Sequence, residues 1–163
     1  MGAAEGPDSL TVSDLTPADL PLIAWSGSAT HLESVTRALE RVLSGEVEYL
    51  AVRAPDGQIG AKGGIDYKQH AQAPTMWQLA TRTELQSRGI GTLLIQTMED
   101  RMRARGFKRA MVGVEHNNPR ARALYERLGY KTCGTEHASW ERLDEHGHRF
   151  LYETEVILLD KQL

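Results

Sequence analysis

The sequence predicts a single α/β domain built around a mixed sheet. Strand and helix patterns alternate through the middle of the chain, and hairpin patterns occupy both ends. The length of 163 residues, with 40% apolar and 25% charged side chains, suits one hydrophobic core and leaves little room for a second. We expect the domain to span residues 9–163, after a flexible leader at residues 1–8.

Each predicted element follows from a local pattern. Helices are indicated by apolar residues three or four apart that end at glycine, and strands by short apolar or alternating runs. Trp77, Leu79 and Thr81, for example, should share one face of a strand. The predicted helices are residues 18–25, 31–43, 91–105 and 119–128. The predicted strands are residues 9–15, 48–53, 58–67, 75–81, 109–115, 130–143 and 149–159.

Charge and composition exclude several classes of protein. The net charge of -3 disfavours a general nucleic-acid-binding protein, which needs a basic excess. No stretch approaches the ~20 apolar residues of a membrane span. A single cysteine, Cys133, excludes a disulfide framework within the chain and predicts a cytoplasmic location. Cys133 itself is expected to be a buried, inert thiol, and the six histidines lack metal-ligand spacing, so no metal is expected.

Residues 86–91, Gln-Ser-Arg-Gly-Ile-Gly, join a predicted strand to a predicted helix. The first N–H groups of a helix lack intrahelical partners, and the helix dipole adds partial positive charge there. Gly89 and Gly91 have no Cβ to hold a phosphate away, and Arg88 adds a fixed positive charge. The loop therefore meets the requirements of a pyrophosphate site, although a glycine pair alone also fits an ordinary tight turn.

Two better-known phosphate-binding motifs do not fit this loop. A dinucleotide-binding loop needs a third glycine where Leu94 stands, and no early βαβ unit precedes it. A Walker A loop needs a Gly-Lys-Ser/Thr run, which does not follow. Dinucleotide and kinase chemistry are thereby disfavoured.

Residues 118–130 form a second informative segment. Asn118 is a good helix N-cap, Pro119 a good first residue and Gly129 a good terminator. Both this helix and the loop helix follow a strand, so a ligand is expected at the carboxyl ends of the two strands. Tyr125 is placed either to direct its hydroxyl into that crevice or to pack in the core.

Taken together, the two segments resemble the GCN5-related N-acetyltransferase (GNAT) superfamily. The motifs that carry the resemblance are Gln86-x-x-Gly89-x-Gly91 and Asn118-x-x-Ala121-x-x-Leu124-Tyr125-x-x-x-Gly129-Tyr130. The resemblance implies a mostly antiparallel, twisted mixed sheet of about seven strands flanked by about four helices. It also implies acetyl-CoA as co-substrate and N-acetyltransferase activity, without identifying the acceptor.

In that superfamily the loop binds the pyrophosphate of coenzyme A, and the preceding strand pairs its backbone with the pantetheine arm. The implied cofactor-binding residues are Leu79, Ala80, Thr81, Gln86, Ser87, Arg88, Gly89, Ile90, Gly91, Thr92, Asn118, Ala121 and Tyr125. The resemblance also gives Tyr125 the catalytic role of protonating the departing thiolate. A hydroxyl bonded to sulfur can assist a thiol leaving group, whose pKa is about 8.5.

The acceptor amine must lose a proton, and the sequence leaves the base open. Some members of the superfamily use a carboxylate on the strand before the loop, but residues 75–81 contain none. Glu115, with His116 beside it, is the candidate catalytic base; a water relay and a merely solvated strand end are alternatives. A backbone N–H near residues 79–81 is the expected oxyanion donor.

Direct attack in a ternary complex, by a small-molecule primary amine, is the leading hypothesis. The alternatives are a protein N-terminus or lysine as acceptor, and a non-catalytic CoA-binding sensor. Trp25 and Tyr67 are candidates for lining the acceptor pocket, and the final hairpin for a homodimer contact. The acidic residues expected to attract a cationic acceptor are Glu33, Glu46, Glu48, Asp66 and Glu84.

Overall fold

Seven strands form one sheet in the order β1-β2-β3-β4-β5-β7-β6 in the structure, a computed structural model that describes residues 9–163. Of the strand pairs in this sheet, β4 and β5 run parallel and the others antiparallel. The predicted mixed, mostly antiparallel sheet is therefore confirmed, while the leader at residues 1–8 lies outside the described residues. The strands are β1 (Thr11–Asp14), β2 (Val47–Arg53), β3 (Ile59–Asp66), β4 (Thr75–Thr81), β5 (Arg109–Glu115), β6 (Lys131–Leu143) and β7 (Arg149–Gln162).

Three α-helices accompany the sheet: α1 (Ala29–Val42), α2 (Ile90–Ala104) and α3 (Pro119–Arg127). The fourth predicted helix, at residues 18–25, is instead a 3₁₀ segment at Pro17–Ser26. Pro21 inside it has no N–H to donate, and Ile23 leaves the helical region with φ −115° and ψ 16°. It begins one residue before the predicted start, where the Thr16 amide donates to the Asp19 carboxylate at 2.9 Å in a capping box.

The helices cover opposite faces of the sheet, and β2 shows why. Tyr49 packs with Val35 of α1, whereas its neighbour Leu50 packs with Leu94 of α2. Successive side chains of a strand point to opposite faces, so β2 contributes to two apolar layers. α1 lies on one side of the sheet, and α2 lies on the other.

β4 separates from β5 soon after the two strands begin to pair. Their paired residues are Thr75 with Met111 and Met76 with Val112. On its other side β4 contains a bulge: Gly64 pairs with Trp77 and Lys62 with Ala80, while Gln78 adopts φ +56°. The separation opens the sheet at the carboxyl end of β4.

The bulge contradicts the prediction that Trp77 and Leu79 share a face. Trp77 packs in the layer of α1 and Leu79 in the layer of α2, because the extra residue reverses the alternation. Glycines on β3 make room for both side chains: a Cβ at Gly63 would overlap Leu79, and one at Gly64 would overlap Trp77. The atoms that approach these two glycines therefore belong to side chains of β4.

The final hairpin of β6 and β7 forms one edge of the sheet. Cys133 lies on β6 and is exposed, so the prediction of a buried thiol is wrong. β6 is the outermost strand, and its first residues face solvent instead of a second layer. Within residues 9–163, no helix is both long and apolar enough to span a bilayer.

Candidate active site

The loop between β4 and α2 turns through two left-handed residues. Ser87 has φ +65° and Gly89 has φ +79°, and Gly89 is the N-cap of α2. A Cβ at Gly89 would meet no atom within 4 Å, so the backbone angle, not crowding, requires glycine there. A Cβ at Gly91 would lie 3.3 Å from Leu124 Cδ2, so this glycine instead allows α3 to approach α2.

A cavity of about 610 Å³ opens where β4, this loop, α2 and α3 meet; we call it the loop cavity. Most of the residues predicted to bind the cofactor line it, namely Leu79, Ala80, Thr81, Gln86, Ser87, Gly89, Gly91, Thr92, Asn118, Ala121 and Tyr125. Arg88 and Ile90 are outside the lining, and Ile90 belongs to the core because it opens α2 on the side facing the sheet. The local motifs thus converge on one cavity.

Basic side chains give the loop cavity its charge. Arg120 and Arg127 of α3 are among the lining residues, and no carboxylate is. The Arg120 guanidinium donates to Ser87 Oγ at 2.6 Å and so joins α3 to the loop. Sequence reasoning missed Arg120; its position two residues after the Asn118 cap, on the first turn of a helix at the same sheet end, was the available signal.

Asn118 caps α3 as predicted. Its side-chain oxygen accepts a hydrogen bond from the Ala121 amide at 3.2 Å. This contact fixes the start of α3 at the rim of the loop cavity. Tyr125 is thereby positioned less than two turns further along the same helix.

Tyr125 is 5% exposed, and both of its predicted environments are present. Its ring packs edge-on against Tyr130, with the ring centroids 6.4 Å apart. Its hydroxyl has no hydrogen-bond partner in residues 9–163, where no fully buried side-chain nitrogen or oxygen lacks one, so the hydroxyl opens into the loop cavity. Burial raises the pKa of Tyr125 to about 12, which keeps the hydroxyl protonated at neutral pH.

A second cavity, of about 800 Å³, lies between α1 and the sheet; we call it the acidic groove. Its walls include Trp77 and Gln78 of β4 and Trp140 of β6. Its charged and titratable lining residues are His31, Glu115, Glu136, Glu141 and Arg142. The excess of carboxylates makes this groove opposite in charge to the loop cavity.

Each groove carboxylate has a defined partner. Glu115 accepts a hydrogen bond from the Tyr152 hydroxyl at 2.8 Å. The other two carboxylates contact cations or titratable rings: Glu136 is 2.9 Å from His70 Nε2, and Glu141 is 3.0 Å from Arg149. Glu115 therefore lies in the acidic groove and not in the loop cavity, and its neighbour His116 is exposed.

The acidic residues expected to attract an acceptor are not in the groove. Each forms an ion pair with an arginine, in the pairs Glu33–Arg149, Glu46–Arg41, Glu48–Arg101, Asp66–Arg41 and Glu84–Arg82. The two aromatic candidates for the acceptor pocket have partners of their own: the Trp25 ring N–H donates to the Leu22 carbonyl at 3.0 Å, and the Tyr67 hydroxyl donates to Glu48 at 2.9 Å. Neither lines the groove, where Trp77 and Trp140 do so instead.

The separation of β4 from β5, the loop at the start of α2 and the tyrosine of α3 agree with the predicted resemblance to the GNAT superfamily. Residues 23–130 match the model of the Acetyltransferase (GNAT) family. The chain belongs to this family.

Known proteins extend the comparison. Streptothricin acetyltransferase from Streptomyces lavendulae is 27% identical over 104 residues, which are 64% of this chain and 54% of that protein. The chain thus spans about half the length of this relative. The PaiA N-acetyltransferase from Thermoplasma acidophilum, solved in complex with coenzyme A, shares the fold with a TM-score of 0.69 at 16% identity, over 95% of this chain and 99% of that one. The ribosomal-protein-alanine N-acetyltransferase from Brucella melitensis has a TM-score of 0.68 at 19% identity, and the match covers 94% of this chain and 99% of that one.

Proposed function

We propose that this protein transfers the acetyl group of acetyl-CoA to a primary amine of a small molecule, by direct attack in a ternary complex. The observation that carries the proposal is that two cavities of opposite charge adjoin one strand. Residues 79–81 of β4 line the loop cavity, and residues 75–78 line the acidic groove. A donor in the first and an acceptor in the second meet at β4.

The loop cavity suits the donor. A pyrophosphate at the start of α2 would meet unpaired N–H groups and the positive end of the helix dipole, with Arg120 and Arg127 adding charge. The coenzyme A complex of the Thermoplasma protein, which has the same fold, supports acetyl-CoA as co-substrate. In the proposed complex, the backbone of residues 79–81 pairs with the pantetheine arm and supplies the oxyanion donor.

Tyr125 is the proposed acid. Its hydroxyl opens into the loop cavity. Burial raises the pKa of Tyr125 to about 12, so the hydroxyl is protonated at neutral pH. A thiol has an ordinary pKa of about 8.5, so full transfer from the phenol is uphill, and the hydroxyl stabilises the departing thiolate mainly as a hydrogen-bond donor. The second proton of the attacking nitrogen then reaches the sulfur through the Tyr125 hydroxyl, which gives up one proton and regains another, so Tyr125 keeps the acid role.

The acidic groove suits a cationic amine. A lysine-like amine has a pKa of about 10 and arrives as ammonium, which carboxylates attract. Streptothricin acetyltransferase, by its name, supports a small-molecule acceptor. A protein N-terminus or lysine is the second candidate, favoured by the fold shared with the Brucella ribosomal-protein-alanine enzyme. A non-catalytic CoA-binding sensor is the third, and the Tyr125 hydroxyl in the loop cavity argues against it.

Glu115 is a candidate base at the wall of the groove, and a homodimer through the final hairpin and a cytoplasmic location are expected. No nucleic acid or membrane partner is expected.

The test is to incubate the protein with acetyl-CoA and panels of small amines, lysine peptides and peptides with free N-termini, and to measure thiol release. We expect turnover with small cationic amines. Turnover with peptides alone would contradict the proposal of a small-molecule amine as acceptor. Coenzyme A binding without any turnover would favour the sensor.

A further inference from the structure

Lys62 is a fully buried lysine on β3 that no mechanism above uses. Its side chain is 0% exposed, and no ion pair within residues 9–163 includes it. Its ammonium nitrogen instead contacts three neutral groups, at 2.9 Å to His31 Nε2, 3.1 Å to Tyr49 Oη and 2.7 Å to the Gln78 carbonyl. A buried ammonium without a counter-charge is costly, so the site favours the loss of one proton.

The hydrogen-bond inventory around Lys62 allows two proton arrangements. The Gln78 carbonyl can only accept, and the Tyr49 hydroxyl donates to Gln78 Oε1 at 2.9 Å and so accepts from Lys62. The contact with His31 Nε2 works in either direction. An ammonium donates to a bare Nε2, and a neutral amine accepts from Nε2–H; both arrangements satisfy every group.

His31 connects this cluster to the acidic groove. It is partly exposed, lines the groove and directs Nε2 towards Lys62. Its other nitrogen, Nδ1, has no hydrogen-bond partner in residues 9–163. Because no fully buried side-chain nitrogen or oxygen in that part of the chain lacks a partner, Nδ1 is accessible. One side of the imidazole therefore faces Lys62, and the other is open to a ligand.

We propose that His31 and Lys62 together accept the proton that the acceptor ammonium must lose, an inference that rests on the proposed acetyl transfer. The ammonium gives one proton to His31 Nδ1 as His31 gives its Nε2 proton to the neutral Lys62 amine. The products are a neutral acceptor amine, a neutral imidazole with the proton on Nδ1, and a Lys62 ammonium donating to three acceptors. After the reaction Lys62 returns the proton to solvent through His31.

The pKa values of the two groups match these roles. Burial lowers the pKa of Lys62 to about 7, so the neutral amine is well populated at neutral pH. Burial, with the nearby Lys62 charge, lowers the pKa of His31 to about 4, so His31 transmits the proton and does not keep it. His31 is the catalytic residue in this scheme, and Lys62 acts through it.

The surrounding groups do not supply a competing proton store beside Lys62. Tyr49 of β2 stays a neutral phenol, because burial raises its pKa, and Gln78 of β4 does not titrate. The charged groups that face the groove itself are Glu115 of β5 and, from β6, Glu136, Glu141 and Arg142. The carboxylates stabilise the acceptor cation until its proton leaves.

A structural role for Lys62 makes a different prediction. The Lys62 ammonium also donates a hydrogen bond to the carbonyl of Gln78. Gln78 has a φ of +56°, which is strained for a residue with a side chain. If Lys62 merely held the bulge, its removal would lower the rate equally at every pH and for every acceptor. A proton acceptor is needed only for acceptors that arrive protonated.

The experiment measures kcat/KM against pH for two acceptors, an alkylamine of pKa ~10 and a fluorinated analogue that is neutral at pH 7. The variants are H31Q, K62M and E115Q, with K68M as a matched control because Lys68 is exposed outside both cavities. We expect H31Q and K62M to lose about 10²-fold at pH 7 on the alkylamine, less at higher pH, and about threefold or less on the analogue. The K68M variant should match the wild type.

Two results would overturn the inference. An equal loss at every pH and on both amines would assign Lys62 to holding the bulge. Loss of the pH-dependent limb in E115Q, with H31Q retaining it, would assign the base to Glu115.

A second measurement is independent of turnover. The ¹³Cε resonance of Lys62 is assigned by its absence in K62M, and it should titrate near pH 7 in the free protein. A titration midpoint near pH 10, with turnover intact, would overturn this inference and leave the proposed function standing. Coenzyme A binding without turnover on any amine would instead overturn the proposed function and the inference with it.

Discussion

The loop cavity and the acidic groove adjoin the same strand, yet they are assembled in different ways. The loop cavity is lined by two short stretches of sequence, residues 79–95 and 118–127. The acidic groove draws on residues 26–34, 69–78, 113–115, 136–143 and 156–158. The proposed donor site is therefore built from local backbone geometry, whereas the proposed acceptor site depends on long-range packing.

The loop cavity and the acidic groove also differ in the chemical groups that they present to a ligand. In the loop cavity the main features are helix N–H groups, glycine backbone angles and arginines. In the groove they are carboxylates, tryptophans and a partly exposed histidine that contacts a buried lysine behind it. Substitutions in the first region should therefore change acetyl-CoA affinity, and substitutions in the second should change acceptor use or proton transfer.

The largest expected effect on the donor side is from G89L. Gly89 has φ +79°, so leucine costs about 1–2 kcal/mol of backbone strain and fills space beside the helix start. We expect loss of coenzyme A binding by at least ~10²-fold in titration calorimetry. The control is G106L, at φ +89° beyond the end of α2 and with similarly open surroundings. Equal binding loss in both variants would mean that strain alone, and not the loop, explains the effect.

The next effect separates binding from chemistry within the loop cavity. Y125F removes the hydroxyl that opens into the cavity and keeps the ring that packs on Tyr130. We expect kcat to fall by about 10–10²-fold and the acetyl-CoA affinity to change by less than about twofold. The control is Y67F, which loses a hydroxyl that donates to Glu48, because neither residue lines the loop cavity. An unchanged rate at every pH would remove Tyr125 from the acid role.

A smaller effect tests the charge of the loop cavity. R120Q should lower the affinity for coenzyme A by about tenfold, because it removes a positive charge from the cavity lining and a hydrogen bond to Ser87. R122Q makes the same charge change on the same helix, but Arg122 pairs with Glu126 outside the lining. Titration calorimetry at two salt concentrations compares them. Equal weakening by both variants would show that only the overall charge matters.

The smallest expected effect concerns the acidic groove. E141Q should raise the KM for a cationic acceptor by about threefold and leave the KM for acetyl-CoA unchanged, since Glu141 is a partly screened lining carboxylate. E46Q removes the same charge from a pair with Arg41 outside the groove. The difference between them should disappear in high salt. A rise in KM for a neutral acceptor would contradict an electrostatic role.

The sequence predicted local backbone geometry better than it predicted properties that depend on long-range packing. The loop, the Asn118 cap and the start of α2 were predicted well, because glycine angles, caps and helix starts depend on near neighbours. The burial of Cys133 was predicted wrongly, and the pairing of the five acidic residues with arginines was not predicted. Those properties depend on which strand is at the edge and which arginine is near, and neither is a local matter.

The sequence by itself determined the order of elements, the family motifs and the local geometry of the proposed donor site, since each is encoded within a few consecutive residues. Only the tertiary structure decided the bulge at Gln78, the identity of the groove carboxylates and the burial of Lys62 against His31 and Tyr49. The physical reason is that a side chain's charge state and partners depend on desolvation and distance. Residues 31, 49, 62 and 78 acquire those properties only when α1, β2, β3 and β4 pack together.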